Sequence, residues 1–294
     1  MQQLEHEPVR GLLGQPGGQR PAGTASRDGH PVRVDVHRAT EYGVQHGADV
    51  VDRRGIGLLR GQPVVHRNHR TFGAAGQFDS YIRQIGVKLI SGGGGNAALR
   101  LGWEANRMGG FPWAVQGDGS SWKACYRRWT SVLRSLPGQN FVMVWNMGQK
   151  GTFPLHIDNM YPGSDVVDVV GTQFYDRCGS DRSLYDWNDK LDRKQPNGSP
   201  WGIATWLAYA KGKGKRLAIP EWGIAGPRYI CNDPGFDNPL FMQLFHGFLQ
   251  TNASSIAFES YFNGNAGGSP SGGTHKIAPA TWNPRAAAAY RSLW

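Results

Sequence analysis

From Gly76 to the C-terminus, short apolar runs alternate with amphipathic stretches, and that alternation constrains the fold more than any other feature of the chain. Phe78 to Ile90 places Tyr81, Ile82, Ile85, Leu89 and Ile90 on one helical face. After the glycines at 92–95, Ala97 to Trp103 reads as a strand. Trp122 to Leu136 then reads as a helix stopped by Pro137-Gly138. Further strands are expected over Phe141 to Trp145, Val166 to Phe174, Arg216 to Pro220 and Ile256 to Tyr261. Helices are expected over Trp201 to Ala210, Pro239 to Asn252 and Pro284 to Leu293. Mostly continuous apolar strands separated by helices predict a parallel sheet covered on both faces. The spacing is that of a TIM-type (β/α)8 barrel, an α/β fold, with only its last five units recognisable. An open doubly wound sheet is the alternative, but no G-x-G-x-x-G opens a helix after the first strand.

The first 70 residues break this pattern. They hold a single aromatic (Tyr42), no Lys, 10 Arg, 6 His and 11 Gly. All 11 Trp of the 294-residue chain follow them. Such a segment buries too little apolar surface to offset its ordering entropy. Its best strand candidates, Val32 to Val36 and Val64 to Val65, are short and flanked by Arg or His. Residues 1–75 are therefore set apart as an atypical Arg/Gly/His-rich segment. Their composition is that of a disordered basic arm or of a GC-rich gene read out of frame. The catalytic-type barrel is assigned to 76–294.

In a β/α barrel the reacting groups stand at the carboxyl ends of the strands. Those ends carry Glu104, Asn146, Tyr175-Asp176, Glu221 and Glu259. Glu104 and Glu221 differ from the rest, since each closes an apolar strand and adjoins a tryptophan, Trp103 and Trp222. A carboxylate there is costly unless a partner or a reaction explains it. Two such glutamates suit hydrolysis of a glycosidic bond, one protonated to serve the leaving oxygen and one ionised to attack the anomeric carbon. Flat apolar faces for sugar rings are available from Trp113, Trp145, Tyr175, Trp222 and Tyr261. For Trp145 and Trp103, core packing and a place at the site are both open.

The runs LRLGWEANRMGGFPW (99–113), YPGSDVVDVVGTQFYD (161–176), AIPEWGI (218–224) and NPRAAAAYRSLW (283–294) resemble glycoside hydrolase family 26, in particular its actinobacterial mannanase-like members. That resemblance implies a (β/α)8 barrel cleaving β-mannan or a related β-glycan with retention of configuration. It implies Glu104 as acid/base, Glu221 as nucleophile and Tyr175 as the tyrosine that hydrogen-bonds the nucleophile. Trp113 and Trp222 would line sugar subsites, with Trp103, Asn106 and Tyr261 also near substrate. Two departures stand out. Trp103 occupies the position where many members carry His, and Arg-Met-Gly-Gly (107–110) fills the loop after Asn106. Nothing in residues 1–70 resembles the family's first three β/α units.

A retaining site calls for carboxyls about 5–5.5 Å apart, with Glu104 entering the cycle protonated and Glu221 ionised. No metal or cofactor is expected, because His156, His246 and His275 are scattered and no metal-binding motif occurs. Cys178 and Cys231 follow strand ends on one predicted face, which suits a disulfide or two free thiols, while Cys125 reads as a core thiol. The formal charge of +10 raises a nucleic-acid alternative, but the Lys211 to Arg216 run precedes a strand and no nucleic-acid motif accompanies it. The expected partner is a polysaccharide or oligosaccharide, with no nucleic acid and no membrane, and the expected state is a monomer. No apolar export signal is visible, and an extracellular location rests on the resemblance alone. A catalytically inactive, truncated carbohydrate-binding remnant is the competing reading.

Overall fold

The structure, a computed structural model, describes residues 48–51, 73–107, 111, 113–115, 117–151, 154–176, 184–224, 237–264 and 275–294. The strand candidates at Val32 and Val64, and both Cys178 and Cys231, lie outside these residues.

Six strands form one sheet in chain order, namely β1 (Ala48–Val51), β2 (Ala98–Leu101), β3 (Val142–Met147), β4 (Val169–Asp176), β5 (Arg216–Ile224) and β6 (Ile256–Tyr261). The last five are mutually parallel, whereas β1 pairs antiparallel with β2, Ala48 opposite Leu101. A doubly wound sheet reverses its strand order at a switch point. Here each strand lies beside its successor, which is the winding of part of a β/α barrel. The sequence pattern did not mark β1. It lies beside β2, where a preceding barrel unit would supply a parallel strand.

The helices are α1 (Asp79–Ser91), α2 (Ser120–Arg134), α3 (Leu184–Leu191), α4 (Ile203–Gly212), α5 (Pro239–Thr251) and α6 (Pro284–Leu293). The expected α1 face is present, with Ile82, Ile85 and Leu89 buried. Helix α3 was not expected, and among the described residues β3 connects to β4 through a 3-10 turn, Ile157–Met160, rather than an α-helix. Helix α5 starts where its sequence dictates. The Asn238 side chain accepts from the amides of Leu240 and Phe241, and Pro239 fills the first turn. The Asn238 amide also donates to Asp176 at 2.8 Å, fastening the helix to the end of β4.

Strands β2 to β6 divide their side chains between two faces. Leu99, Leu101, Met143, Trp145, Val170, Phe174, Leu217 and Ile219 join the large core under the helices. Val144, Val169 and Ala218 form a smaller cluster on the other face, with Ala98, Val142 and Phe258 against it. That second face is the barrel interior. Among the described residues, no helix is long and apolar enough to cross a membrane.

Candidate active site

Alternation along the strands carries the interior face from apolar to polar residues toward the carboxyl ends. Beyond Ala98 it reaches Arg100, and beyond Val142 and Val144 it reaches Asn146. Beyond Val169 and Gly171 it reaches Gln173 and Tyr175. Gly171 makes room for this set, because a Cβ there would stand 3.2 Å from the Asn146 Cβ and 3.0 Å from Val144. The Arg100 guanidinium, buried, donates from Nε to Asn146 Oδ1 at 2.6 Å.

Glu221 joins this face because β5 carries a bulge. Gly171 and Gln173 of β4 oppose Ala218 and Glu221 of β5, so β5 holds one residue more than its neighbour. Pro220 lies within that stretch. A proline has no N–H to give a ladder and is confined to edges and bulges. The extra residue exchanges the two faces. Before it, Ala218 is interior and Ile219 exterior; after it, Glu221 stands with the interior groups and Trp222 with the core. Glu221 Oε1 accepts from the Tyr175 hydroxyl at 2.7 Å, and Oε2 accepts from Arg100 Nη2 at 3.3 Å. Its side chain remains 23% exposed, held on two sides and open on another. Burial, then the charge of Glu221 and their hydrogen bond, push the Tyr175 hydroxyl well above the usual tyrosine range, with Glu104 adding to the effect. At neutral pH Tyr175 is therefore a donor.

Glu104 sits in the turn just past β2 with φ 52°, the one described non-glycine residue in the left-handed region. Its amide donates to the Asn146 carbonyl at 3.0 Å, tying the turn to the end of β3. Arg107 Nη1 lies 2.9 Å and 3.2 Å from its two carboxylate oxygens. These contacts are charge-assisted and hold the Glu104 carboxylate toward Arg107.

The other expected residues separate into two groups. Trp103, Phe111 and Trp113 form one aromatic cluster beside Glu104, with Phe111 and Trp113 stacked at 4.7 Å. Trp113 anchors it by donating from Nε1 to the Trp103 carbonyl at 2.7 Å. Trp103 is buried and Trp113 only partly so, which leaves Trp113 the more accessible ring. Asn106, by contrast, is buried with its amide committed to the backbone. It donates to Gly148 O at 2.9 Å and accepts from Gly148 N at 2.7 Å, clamping the segment after β3 rather than facing substrate. Trp222 is 0% exposed, under Phe241, Phe245 and Trp294. It is a core residue, and its place as a sugar platform is corrected by the bulge that turned it outward. Tyr261 packs edge-on against Trp222 and donates to the His275 carbonyl at 2.7 Å, so it too is buried packing. Trp145 lies in the core against Tyr161, Trp206 and Tyr209.

Sequence reasoning passed over four residues that the structure brings to this end of the sheet. Arg100 had a signal, a charge at the centre of an otherwise apolar strand. Gln173, opposite Glu221 in register, is 1% exposed, and neither end of its amide has a partner among the described residues. Arg107 was noted only as a departure from a loop pattern. His275 lies tilted against Tyr175 at 4.9 Å and meets the Ile224 carbonyl through Nδ1, a contact no sequence spacing announces. Among the described residues, no group of three or more His, Cys, Asp or Glu could hold a metal ion.

No protein-family model matches the chain, and no curated protein matches it. Solved structures do show similarity. A modular endo-β-1,4-mannanase from Cellulomonas fimi, described as a glycoside hydrolase family 26 mannanase, is 25% identical over 65% of this chain and 39% of its own, with a TM-score of 0.44. The catalytic domain of a family 26 endo-β-1,4-mannanase from a Bacillus species is 24% identical over 64% of this chain and 48% of its own, at TM-score 0.42. The Bacillus subtilis mannanase is 15% identical over 79% of this chain and 60% of its own, at TM-score 0.44. The chain therefore spans less than two thirds of the length of each of these mannanases, and it resembles them over that part.

Proposed function

We propose that Glu221 and Glu104 are the nucleophile and acid/base of a retaining β-glycan hydrolase. The observation that carries this reading is the setting of Glu221, a partly open carboxylate gripped at one oxygen by a tyrosine hydroxyl and at the other by a buried arginine. Such a group is aimed by its two partners, as attack on an anomeric carbon requires. The motifs around both glutamates, and the β/α winding that brings their strand ends to one side, agree with it. Mannan is the substrate class to which the motif resemblance points, cleaved outside the cell by a monomer.

In the first step Glu221 bonds to the anomeric carbon while a protonated Glu104 gives its proton to the departing glycosidic oxygen. In the second, Glu104 takes a proton from water, and that water displaces Glu221 with a second inversion. The cycle needs the Arg107 contact to slacken when substrate arrives, so that Glu104 can carry a proton. The unpartnered Gln173 amide would meet a sugar hydroxyl.

The test is covalent trapping. An activated 2-deoxy-2-fluoroglycoside should leave the intact chain heavier by one fluoroglycosyl unit, mapped by peptide mass spectrometry to Glu221. An unlabelled Glu221 in a chain that releases reducing sugar from mannan would overturn the assignment. One observation favours a second reading. Two carboxylates each held by an arginine also describe an inert charge network, that of a remnant that binds glycan without cutting it. Such a remnant would bind mannan oligosaccharides, show no labelling and release no sugar.

Tyr175→Phe removes one donor from Glu221 and little else. A hydrogen bond to a charged group contributes about 1.5–3 kcal/mol, so kcat/KM on a mannan oligosaccharide is expected to fall about 10- to 100-fold. Thermal unfolding should change little. An unchanged rate would separate the hydroxyl from the reaction.

A further inference from the structure

We infer that Arg107 selects an anionic sugar on the leaving-group side, so that the preferred substrate is a β-glycan bearing carboxylates. This rests on Glu104 being the acid/base, since that role places Arg107 beside the departing sugar.

The residue is held in position. The Arg107 amide donates to the Glu104 carbonyl at 2.9 Å, closing the turn that presents both side chains. The aliphatic arm lies against Gly148, where an added Cβ would come within 3.2 Å of Arg107 Cδ and 3.3 Å of Cγ. Glycine at 148 thus leaves the notch the arm occupies, and Asn106 fixes that glycine from both its amide and its carbonyl. Only Nη1 is engaged with Glu104. Among the described residues nothing bonds Nη2 or Nε, and the side chain is 40% exposed. A guanidinium carries five donors in a planar fork suited to two-point capture of a carboxylate. The free edge therefore offers a second carboxylate site next to the one Glu104 fills.

The same geometry gives an acidic sugar a role in the reaction. A carboxylate on the departing residue would compete with Glu104 for the guanidinium, and loosening that pair lets Glu104 take up the proton it must donate. A neutral sugar has no charge with which to compete. Net charge acts in the same direction, because a chain at +10 attracts polyanions over the Debye length and repels none of their approach.

The probes are β-1,4-linked mannuronate oligosaccharides and β-1,4-linked mannose oligosaccharides of equal length, which differ in the group at C6. With the full chain, the mannuronate oligomer should bind at least about tenfold tighter in low salt, and the preference should shrink as salt rises. Arg107→Gln should bring the two affinities to parity. Glu104→Gln should tighten the mannuronate oligomer relative to the neutral one, because it removes the internal competitor. Gly148→Ala should weaken the preference with the charge retained. Equal affinities in the unmodified chain, or a preference that survives Arg107→Gln, would overturn the inference. Binding and cleavage are read separately. A preference that follows Arg107 in a chain that cuts neither oligomer would sink the hydrolase reading and spare the anion site. Cleavage of the neutral oligomer with no preference would do the reverse.

Discussion

Glu221→Ala is expected to lower glycan hydrolysis by about ten-thousand-fold or more, in line with the loss of a nucleophile from a covalent mechanism. The effect should fall on kcat, with oligosaccharide affinity changed little, because the carboxylate acts chiefly in the transition state. The fold should survive. Glu221 belongs to a polar interior face rather than to the packed core, and its truncation leaves Arg100 bonded to Asn146. A second measurement makes the result specific to attack at carbon. With the side chain shortened, a small anion such as azide can enter from the same side and should restore turnover on a substrate with a good leaving group. The glycosyl azide formed would have the configuration opposite to the substrate's, since only one inversion has occurred. Loss of activity with rescue assigns Glu221 as nucleophile. Retained activity, or rescue without the inverted product, rejects it.

The sheet was legible because its signals are local. A run such as Phe141 to Trp145 is apolar on both sides, and only a strand buried on both faces tolerates that. Glu104 and Glu221 were legible for the complementary reason, as charges that end apolar runs. Residues whose roles depend on pairing across strands were not. Arg100 and Glu221 are 121 positions apart, and nothing along the chain says that they share a face. The Tyr175–His275 contact joins β4 to a segment that follows β6. Strand β1 had no aromatic or long aliphatic residue to announce it, only Val50 and Val51 after a charged residue. Trp222 was misplaced for another reason. Its adjacency to Glu221 along the strand was read as adjacency in space, whereas neighbours on a strand point to opposite faces.

Trp222 gives that distinction a measurable consequence. Alternation from Ala218 would have placed Trp222 in the interior and Glu221 under the helices; the additional residue at Pro220 reverses both. The indole accordingly rests at 4.5 Å from Phe245, 4.8 Å from Tyr261 and 5.2 Å from Trp294, and its Nε1 donates to Glu259. Trp222→Ala should cost about 3–5 kcal/mol, the range for deleting a large buried aromatic. For a chain of this size that corresponds to a fall in Tm of about 10 °C. Trp222→Phe should cost less, since it keeps most of the ring contacts and loses the bond to Glu259. A sugar platform would behave in the opposite way, with Tm held and KM for the oligosaccharide raised several-fold. The two outcomes are exclusive in direction, and the first is required if the bulge that turns Glu221 toward Tyr175 and Arg100 also turns its neighbour into the core.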